Sequence, residues 1–122
     1  MATKILLVDD ETDLTEITKI RLESRGFEIK CAYDGLDAFK KAKEMKPDII
    51  LLDLFLPVMH GYEVCKKLKE DNELKDIPVI LFSAGGKTAK EVKDVGAVDF
   101  ISKPVEIEEL VSKINFYTKR QI

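Results

Sequence analysis

Five short apolar segments alternate with stretches of helical periodicity, and this alternation limits the folds open to the chain more than any other feature. The apolar segments predict strands over Lys4–Val8, Glu28–Ala32, Asp48–Leu52, Pro78–Phe82 and Asp99–Ile101. Three of them are almost continuously apolar, which is typical of parallel strands covered by helices on both faces. Repeated β–α units indicate right-handed crossovers. The sequence therefore predicts a doubly wound α/β fold around a five-stranded parallel sheet.

The helical segments between these strands carry apolar faces that should cover the sheet. The predicted faces are Ala38, Phe39, Ala42 and Met45 in the second helix, Val64, Cys65 and Leu68 in the third, and Ile107, Leu110, Val111 and Ile114 in the fifth. The first helix is less regular. Leu14, Ile17 and Leu22 fit one face, but Arg21 falls near it. Between Ser83 and Gly96 the sequence leaves the length and position of the fourth helix open.

Length and composition favour one compact domain over residues 1–122. The chain has 122 residues, of which 45% are hydrophobic, and a net charge of −3. Since neither charge sign dominates, we expect no direct nucleic-acid binding and no association with an anionic membrane. Neither a membrane span nor a signal peptide is recognisable, so we expect a cytoplasmic protein. No output domain follows Ile122, which predicts a stand-alone domain or a piece of a longer protein.

Polar residues follow the predicted strands at the edge where parallel sheets bind ligands. The residues that come directly after the strands are Asp9, Asp10 and Glu11 after the first strand, Asp53 after the third, Ser83 and Ala84 after the fourth, and Ser102, Lys103 and Pro104 after the fifth. Because the carboxyl ends of parallel strands meet at one edge, we expect these residues to converge.

This set of side chains suits phosphoryl transfer. Asp9, Asp10 and Asp53 would repel one another, and a hard divalent cation such as Mg²⁺ removes that repulsion through oxygen ligands. Lys103 supplies a positive charge for a phosphoryl oxygen, and Ser83 supplies a hydroxyl donor. A carboxylate can also act as the nucleophile and form an acyl phosphate. Positioning and charge neutralisation do most of the catalysis in such reactions.

The motifs "ILLVDDE", "PDIILLDLFLPVMHGYEV", "PVILFSA" and "FISKP" occur in this order along the chain. With them the chain resembles the receiver domains of two-component response regulators over essentially its whole length. The resemblance implies a flavodoxin-like sheet with strand order 2-1-3-4-5. It also implies a phosphorylation-activated switch of a phosphorelay, in which a sensor histidine kinase or phosphotransfer protein donates a phosphoryl group to Asp53.

The resemblance further implies a role for each matching residue. Asp10 should bind Mg²⁺ directly and Asp9 mainly through water, while Asp53 and the backbone carbonyl of Phe55 complete the protein's share of the metal shell. Lys103, Ser83 and Ala84 should bind the phosphoryl group. Ser83 and Phe100 should act as the switch pair. The Lys103–Pro104 bond should be cis, an isomer found in only about 5–6% of X-Pro bonds in folded proteins.

The resemblance describes a regulatory domain that catalyses only its own phosphorylation and dephosphorylation and then binds an unknown downstream target, with homodimer formation on phosphorylation left open. Two alternatives were weighed. An aspartyl-phosphate phosphohydrolase needs a second acid near Asp53, where Phe55 stands instead. A flavin-binding flavodoxin needs a hydroxyl-rich phosphate loop after the first strand, where this chain has acids. His60 precedes Gly61 where the family usually has Asp, and it is expected to be a surface or helix-start residue or, alternatively, a proton-sensitive or metal-binding group near the site.

Overall fold

The computed structural model describes residues 2–56, 59–83 and 89–118, and for residues 89–91 it describes the backbone alone. Within these ranges strand and helix alternate five times. The strands are β1 (Lys4–Val8), β2 (Glu28–Ala32), β3 (Ile49–Asp53), β4 (Val79–Ser83) and β5 (Asp99–Ser102). The helices are α1 (Thr12–Glu23), α2 (Gly35–Met45), α3 (Gly61–Glu70), α4 (Ala89–Asp94) and α5 (Ile107–Thr118).

The five strands form one parallel sheet in the order β2-β1-β3-β4-β5. Every residue of β3 and of β4 is buried, as their apolar sequences predict for strands with helices on both faces. The predicted fold class and strand order are confirmed. Strands β1 and β3 are neighbours in the sheet, and the strand order reverses direction between them.

The helices divide into two layers, one on each face of the sheet. Helices α1 and α5 cover one face, where Leu22, Leu110 and Ile114 pack against β-strand side chains such as Leu51. Helices α2, α3 and α4 cover the other, and their buried contributions are Ala38, Ala42, Val64, Cys65, Leu68 and Val92. Both cysteines are free thiols, and burial raises the pKa of Cys65 to about 11, so this thiol is inert at neutral pH.

Strands β3 and β4 begin and end one residue later than the sequence predicts, and β5 ends one residue later. Asp53 and Ser83 are therefore the last residues of their strands rather than the first residues after them. The ladder continues because the backbone of a polar residue pairs as well as that of an apolar one. Asp53 lies opposite Phe82, and the N–H of Leu54 still donates to the carbonyl of Phe82 at 3.1 Å.

The predicted apolar face of α1 is wrong in two of its three residues. Leu14 and Ile17 are 49% and 48% exposed, whereas Thr15 and Leu22 are buried. Thr15 can be buried because its hydroxyl donates to the carbonyl of Glu11 at 2.7 Å, so its polar group keeps a partner. The helix consequently turns a threonine toward the sheet and leaves large aliphatic side chains on its outer face.

The described part of α4 has six residues, and Gly96 follows it at a φ of +84°. A left-handed φ after a helix favours glycine, which carries no Cβ to clash. Among the described helices, none combines the length and the apolar character that a membrane crossing requires.

Candidate functional site: an acidic cluster at the carboxyl edge of the sheet

The candidate site lies at the point where the strand order reverses, between β1 and β3. Asp9 follows β1 directly, and Asp53 is the last residue of β3. Both carboxylates are almost fully buried, with exposures of 4% and 3%. In open parallel sheets this crevice is the usual place for a ligand, because the two flanking crossovers leave it in opposite directions.

Backbone hydrogen bonds orient both carboxylates. One oxygen of Asp9, Oδ1, accepts from the backbone N–H of Glu11 at 3.0 Å, and Asp53 Oδ1 accepts from the N–H of Phe55 at 3.2 Å. The backbone of Asp9 is held in turn, since its N–H donates to the carbonyl of Ala32 at 3.1 Å. The second oxygen of each carboxylate, Oδ2, faces Lys103.

Gly61, the first residue of α3, lets this helix approach the end of β3. A Cβ at this position would lie 2.5 Å from the carbonyl oxygen of Asp53 and 2.6 Å from Cα of Leu54. The N–H of Gly61 donates to the carbonyl of Leu54 at 2.7 Å. Only a glycine fits this close contact between backbones, which buttresses the strand end that carries Asp53.

Lys103 brings a positive charge into the cluster from the end of β5. Its Nζ lies 3.1 Å from Asp53 Oδ2, 3.3 Å from Asp9 Oδ2 and 3.4 Å from Glu11 Oε1. The N–H of Lys103 donates to the carbonyl of Ser83 at 2.8 Å, and the Lys103–Pro104 bond is cis, the isomer that the family resemblance predicts. Its ammonium also lies 5.2 Å from the ring centroid of Phe82, within cation–π range.

The charges of this cluster do not balance. Burial raises the pKa of Asp9, the nearby charge of Asp53 raises it further, and the N–H of Glu11 and the ammonium of Lys103 offset only part of this. Burial alone would lower the pKa of Lys103, but the carboxylates of Asp53 and Asp9 raise it above its ordinary value. Lys103 therefore stays protonated, yet its single charge is shared among several carboxylates.

Carboxylate oxygens of Asp9, Asp10 and Asp53 lie within 4.8 Å of one another, which is close enough for one cation to contact all three. Asp9 and Asp53 are buried and Asp10 is exposed. An all-oxygen, negatively charged set that is open to solvent on one side fits Mg²⁺, which prefers carboxylates and keeps several waters. The donor set and the excess negative charge thus match the metal predicted from the sequence.

The remaining predicted site residues lie around this cluster. Ser83 ends β4 beside β3 and is fully buried, while Phe100 in β5 is half-buried against the α2–α4 layer. Ala84 falls outside the described residues. His60 starts α3, since its Nδ1 accepts from the N–H of Tyr62 at 3.2 Å, and its ring meets the ring of Phe55 edge-on at 5.5 Å.

The sequence places Glu11 at the carboxyl edge but gives it no role, and it singles out neither Phe82 nor Gly61, although all three touch the site. Glu11 and Phe82 contact the ammonium of Lys103, and Gly61 supports Asp53. The available signals were their neighbours in the chain: Glu11 follows the paired acids, Phe82 precedes Ser83, and Gly61 follows His60. None of these signals specifies a contact with a residue from another strand.

Comparison with known proteins gives a consistent family. Residues 5–115 match the family model for the response regulator receiver domain. The chain is 34% identical over 119 residues to the DNA-binding dual master transcriptional regulator RpaA of Synechocystis, a match that covers 96% of this chain and 49% of that protein. It therefore spans about half the length of this curated relative.

Solved structures agree with this family. The chemotaxis protein CheY4 of Vibrio cholerae superposes with a TM-score of 0.90 at 29% identity, covering 96% of this chain and 99% of that one. A putative response regulator from Chloroflexus aurantiacus gives a TM-score of 0.91 at 28% identity, covering 98% and 100%. The sheet order, the acidic cluster at its carboxyl edge and these matches lead to one conclusion: the chain belongs to the response regulator receiver domains of two-component signalling.

Proposed function

We propose that this receiver domain is switched by phosphorylation of Asp53 in a Mg²⁺-dependent reaction. The observation that carries the proposal is the buried Asp53 carboxylate, which lies 3.1 Å from the ammonium of Lys103 and within 4.8 Å of the carboxylates of Asp9 and Asp10. A nucleophile, a cation for the phosphoryl oxygens and ligands for a metal thus occupy one crevice. Such a set suits phosphoryl transfer, in which charge neutralisation and orientation lower most of the barrier.

The donor of the phosphoryl group is a phosphohistidine of a sensor histidine kinase or phosphotransfer protein. A carboxylate oxygen of Asp53 attacks phosphorus, a P–O bond forms, and the P–N bond to the imidazole breaks with its electron pair remaining on nitrogen. Lys103 binds an oxygen of the transferred group. The N–H of Phe55, 3.2 Å from Asp53 Oδ1, keeps the carboxylate oriented during the attack.

The residues that would hold Mg²⁺ are Asp10 as a direct ligand, Asp9 mainly through water, and Asp53 together with the backbone carbonyl of Phe55. When bound, Mg²⁺ neutralises charge on the phosphoryl oxygens. The burial of Asp9 supports this assignment, because a buried carboxylate with a raised pKa is stabilised by a nearby cation.

Phosphorylation is read out through Ser83 and Phe100. The Ser83 hydroxyl moves to the new phosphoryl group, and Phe100 packs into the space that the movement opens. Ser83 ends β4, the strand next to the one that carries Asp53, and Phe100 of β5 lies opposite Leu81 of β4, so the two switch residues stand on adjacent strands. The result is a shift between two surfaces that an unknown downstream target distinguishes.

The outer face of α1 supports the proposal of a partner that docks beside the acids. Leu14, Ile17 and Ile20 are all about half exposed or more, and α1 begins two residues after Asp10. Clustered aliphatic side chains on a surface indicate a contact with another protein. A helix that carries a phosphohistidine can pack on this face and present its phosphoryl group to Asp53.

In this proposal the chain is a regulatory domain that catalyses only its own phosphorylation and dephosphorylation.

Intact-mass analysis after incubation with acetyl phosphate and Mg²⁺ tests the phosphorylation site. One added phosphoryl group is expected on the wild type and none on Asp53→Asn. Asp99→Asn is the matched control, since it removes a partly buried carboxylate at the other edge of the sheet and should still be phosphorylated. An acid-labile phosphoryl adduct on Asp53→Asn would overturn the assignment.

A further inference from the structure

Glu11 contacts Lys103 but does not belong to the trio of carboxylates that can share one cation. Its Oε1 lies 3.4 Å from the Lys103 ammonium, whereas the trio consists of Asp9, Asp10 and Asp53. The Glu11 side chain is 56% exposed, in contrast to the buried Asp9 and Asp53. It therefore offers Lys103 a partner outside the proposed metal shell.

The position of Glu11 directly before α1 also supports a role as a partner of Lys103. Glu11 is the N-cap residue of α1, yet its side chain makes no capping hydrogen bond. Helices prefer Ser, Thr, Asp or Asn at this position because their short side chains reach the free N–H groups. The longer glutamate leaves that stabilisation unused and reaches Lys103 instead.

Lys103 and a divalent cation need the same oxygens. The ammonium lies 3.1 Å from Asp53 and 3.3 Å from Asp9, and both residues belong to the trio. A second positive charge in the crevice is repelled by the ammonium and must displace part of its contacts. Metal binding therefore depends on where Lys103 goes when Asp9 and Asp53 turn to the cation.

We propose that Glu11 is a positioning residue for Lys103, the counter-ion that holds its ammonium while Asp9 and Asp53 bind Mg²⁺. Glu11 thereby weakens the competition between the ammonium and the metal and keeps Lys103 beside Asp53, ready for a phosphoryl oxygen. This inference rests on the proposed function, because it takes Mg²⁺ as the cation of the trio.

The backbone of Glu11 is fixed independently of its side chain, which makes the residue suitable for substitution. Its N–H donates to Asp9 Oδ1 at 3.0 Å, and its carbonyl accepts from the hydroxyl of Thr15 at 2.7 Å and from the N–H of Thr15 at 3.0 Å. Glu11→Gln keeps the size of the side chain and removes only its charge. The fold and the start of α1 are therefore retained.

A double-mutant cycle on Mg²⁺ affinity, measured by calorimetric titration, tests the proposal. In the Lys103-containing protein, Glu11→Gln should weaken Mg²⁺ binding roughly two- to fivefold, the range of a partly exposed ion pair. In the Lys103→Met background the same change should have an effect well under twofold. Glu16→Gln is the matched control: it removes the same charge from an exposed position of α1 and should leave the affinity unchanged.

The amine resonance of Lys103 in a ¹H–¹⁵N correlation spectrum is the second readout. With Mg²⁺ saturating, Glu11→Gln should shift or broaden this signal, Glu11→Asp should have an intermediate effect, and Glu16→Gln should have none. The inference would be overturned, while the proposed function stands, if Glu11→Gln weakened Mg²⁺ binding by the same factor with and without Lys103, or if the Lys103 signal did not move. A wild type that binds no Mg²⁺ would overturn both.

Discussion

Asp9 and Asp99 are aspartates at opposite edges of the same sheet, and the structure treats their charges in opposite ways. Asp99 opens β5 at the amino edge and accepts from the N–H of Phe100 at 2.7 Å, from Lys113 Nζ at 2.7 Å and from the Tyr117 hydroxyl at 2.8 Å. Asp9 follows β1 at the carboxyl edge. It has one backbone donor and a share of Lys103, which also faces Asp53 and Glu11.

The pKa values of the two carboxyls move accordingly. Burial alone would raise the pKa of Asp99, but Lys113, the N–H of Phe100 and Tyr117 lower it below its ordinary value. Burial raises the pKa of Asp9, and Asp53 adds to the rise. A carboxylate matched by donors stabilises the fold, whereas a carboxylate in a surplus of negative charge destabilises it until a cation arrives. The contrast places the unmatched negative charge at the carboxyl edge, where the proposed phosphorylation site lies.

The contrast between Asp9 and Asp99 is tested most directly by the stability of the two Asp→Asn variants. Asp99→Asn should lower the free energy of unfolding by about 1–3 kcal/mol, because it leaves Lys113 without its counter-charge. Asp9→Asn, without divalent cations, should leave this free energy unchanged or raise it, because it removes a repulsive charge. Denaturant unfolding at neutral pH measures both.

The pH dependence of these two changes provides the control. The folded-state pKa of Asp99 is lowered, so its stabilisation is present above the pKa of the unfolded chain and is lost as the pH falls through the folded-state value. The cost of Asp99→Asn should therefore shrink in acid. If Asp9→Asn proves as costly as Asp99→Asn at neutral pH, the Asp9 charge is matched and the comparison fails.

Mg²⁺ should remove the difference between the two edges by stabilising the acidic one. At a concentration ten times the dissociation constant, a ligand that binds only the folded state adds about 1.4 kcal/mol. Asp10→Ala should lose most of this gain, since it removes a predicted direct ligand. Asp99→Asn should show the full gain, although its stability without Mg²⁺ is lower than that of the wild type. Thermal unfolding with and without Mg²⁺ measures the gain. A wild type whose melting temperature ignores Mg²⁺ would contradict a cation site among these acids.

The smallest expected effect concerns the lifetime of the phosphorylated form. Phe55 is 53% exposed two residues after Asp53, and its ring meets His60 edge-on. An apolar ring there cannot orient a water for attack on phosphorus, whereas an amide can. Phe55→Asn should speed the loss of phosphate severalfold, and a tenfold change corresponds to only about 1.4 kcal/mol of barrier.

The measurement is the decay of purified phosphorylated protein in Mg²⁺ without kinase. Phe55→Leu is the matched control, because it stays apolar and should decay at a rate near that of the wild type. Should the wild type lose phosphate as fast as Phe55→Asn, the ring of Phe55 gives the phosphoryl group no protection.

Much of this architecture could be predicted from local patterns. Continuous apolar runs such as Ile49–Leu52 predict buried parallel strands, and the acids and the lysine after successive strands predict convergence at one edge. The prediction failed at α1, where periodicity suggested that Leu14 and Ile17 face the core. A buried Thr15, satisfied by the carbonyl of Glu11, cannot be distinguished from an exposed threonine by periodicity alone.

The sequence by itself determined which chemical groups reach the carboxyl edge of the sheet, because the alternation of strands and helices sets the chain direction and the residue at each strand end. Only the tertiary structure decided how the charges there are shared. The 3.4 Å contact of Glu11 with Lys103 joins residues 92 positions apart in the chain, and the close passage of Gly61 against the end of β3 depends on how α3 packs on the sheet. A shift of a few tenths of an ångström between packed elements makes or breaks such contacts, and local sequence patterns carry no information at that scale.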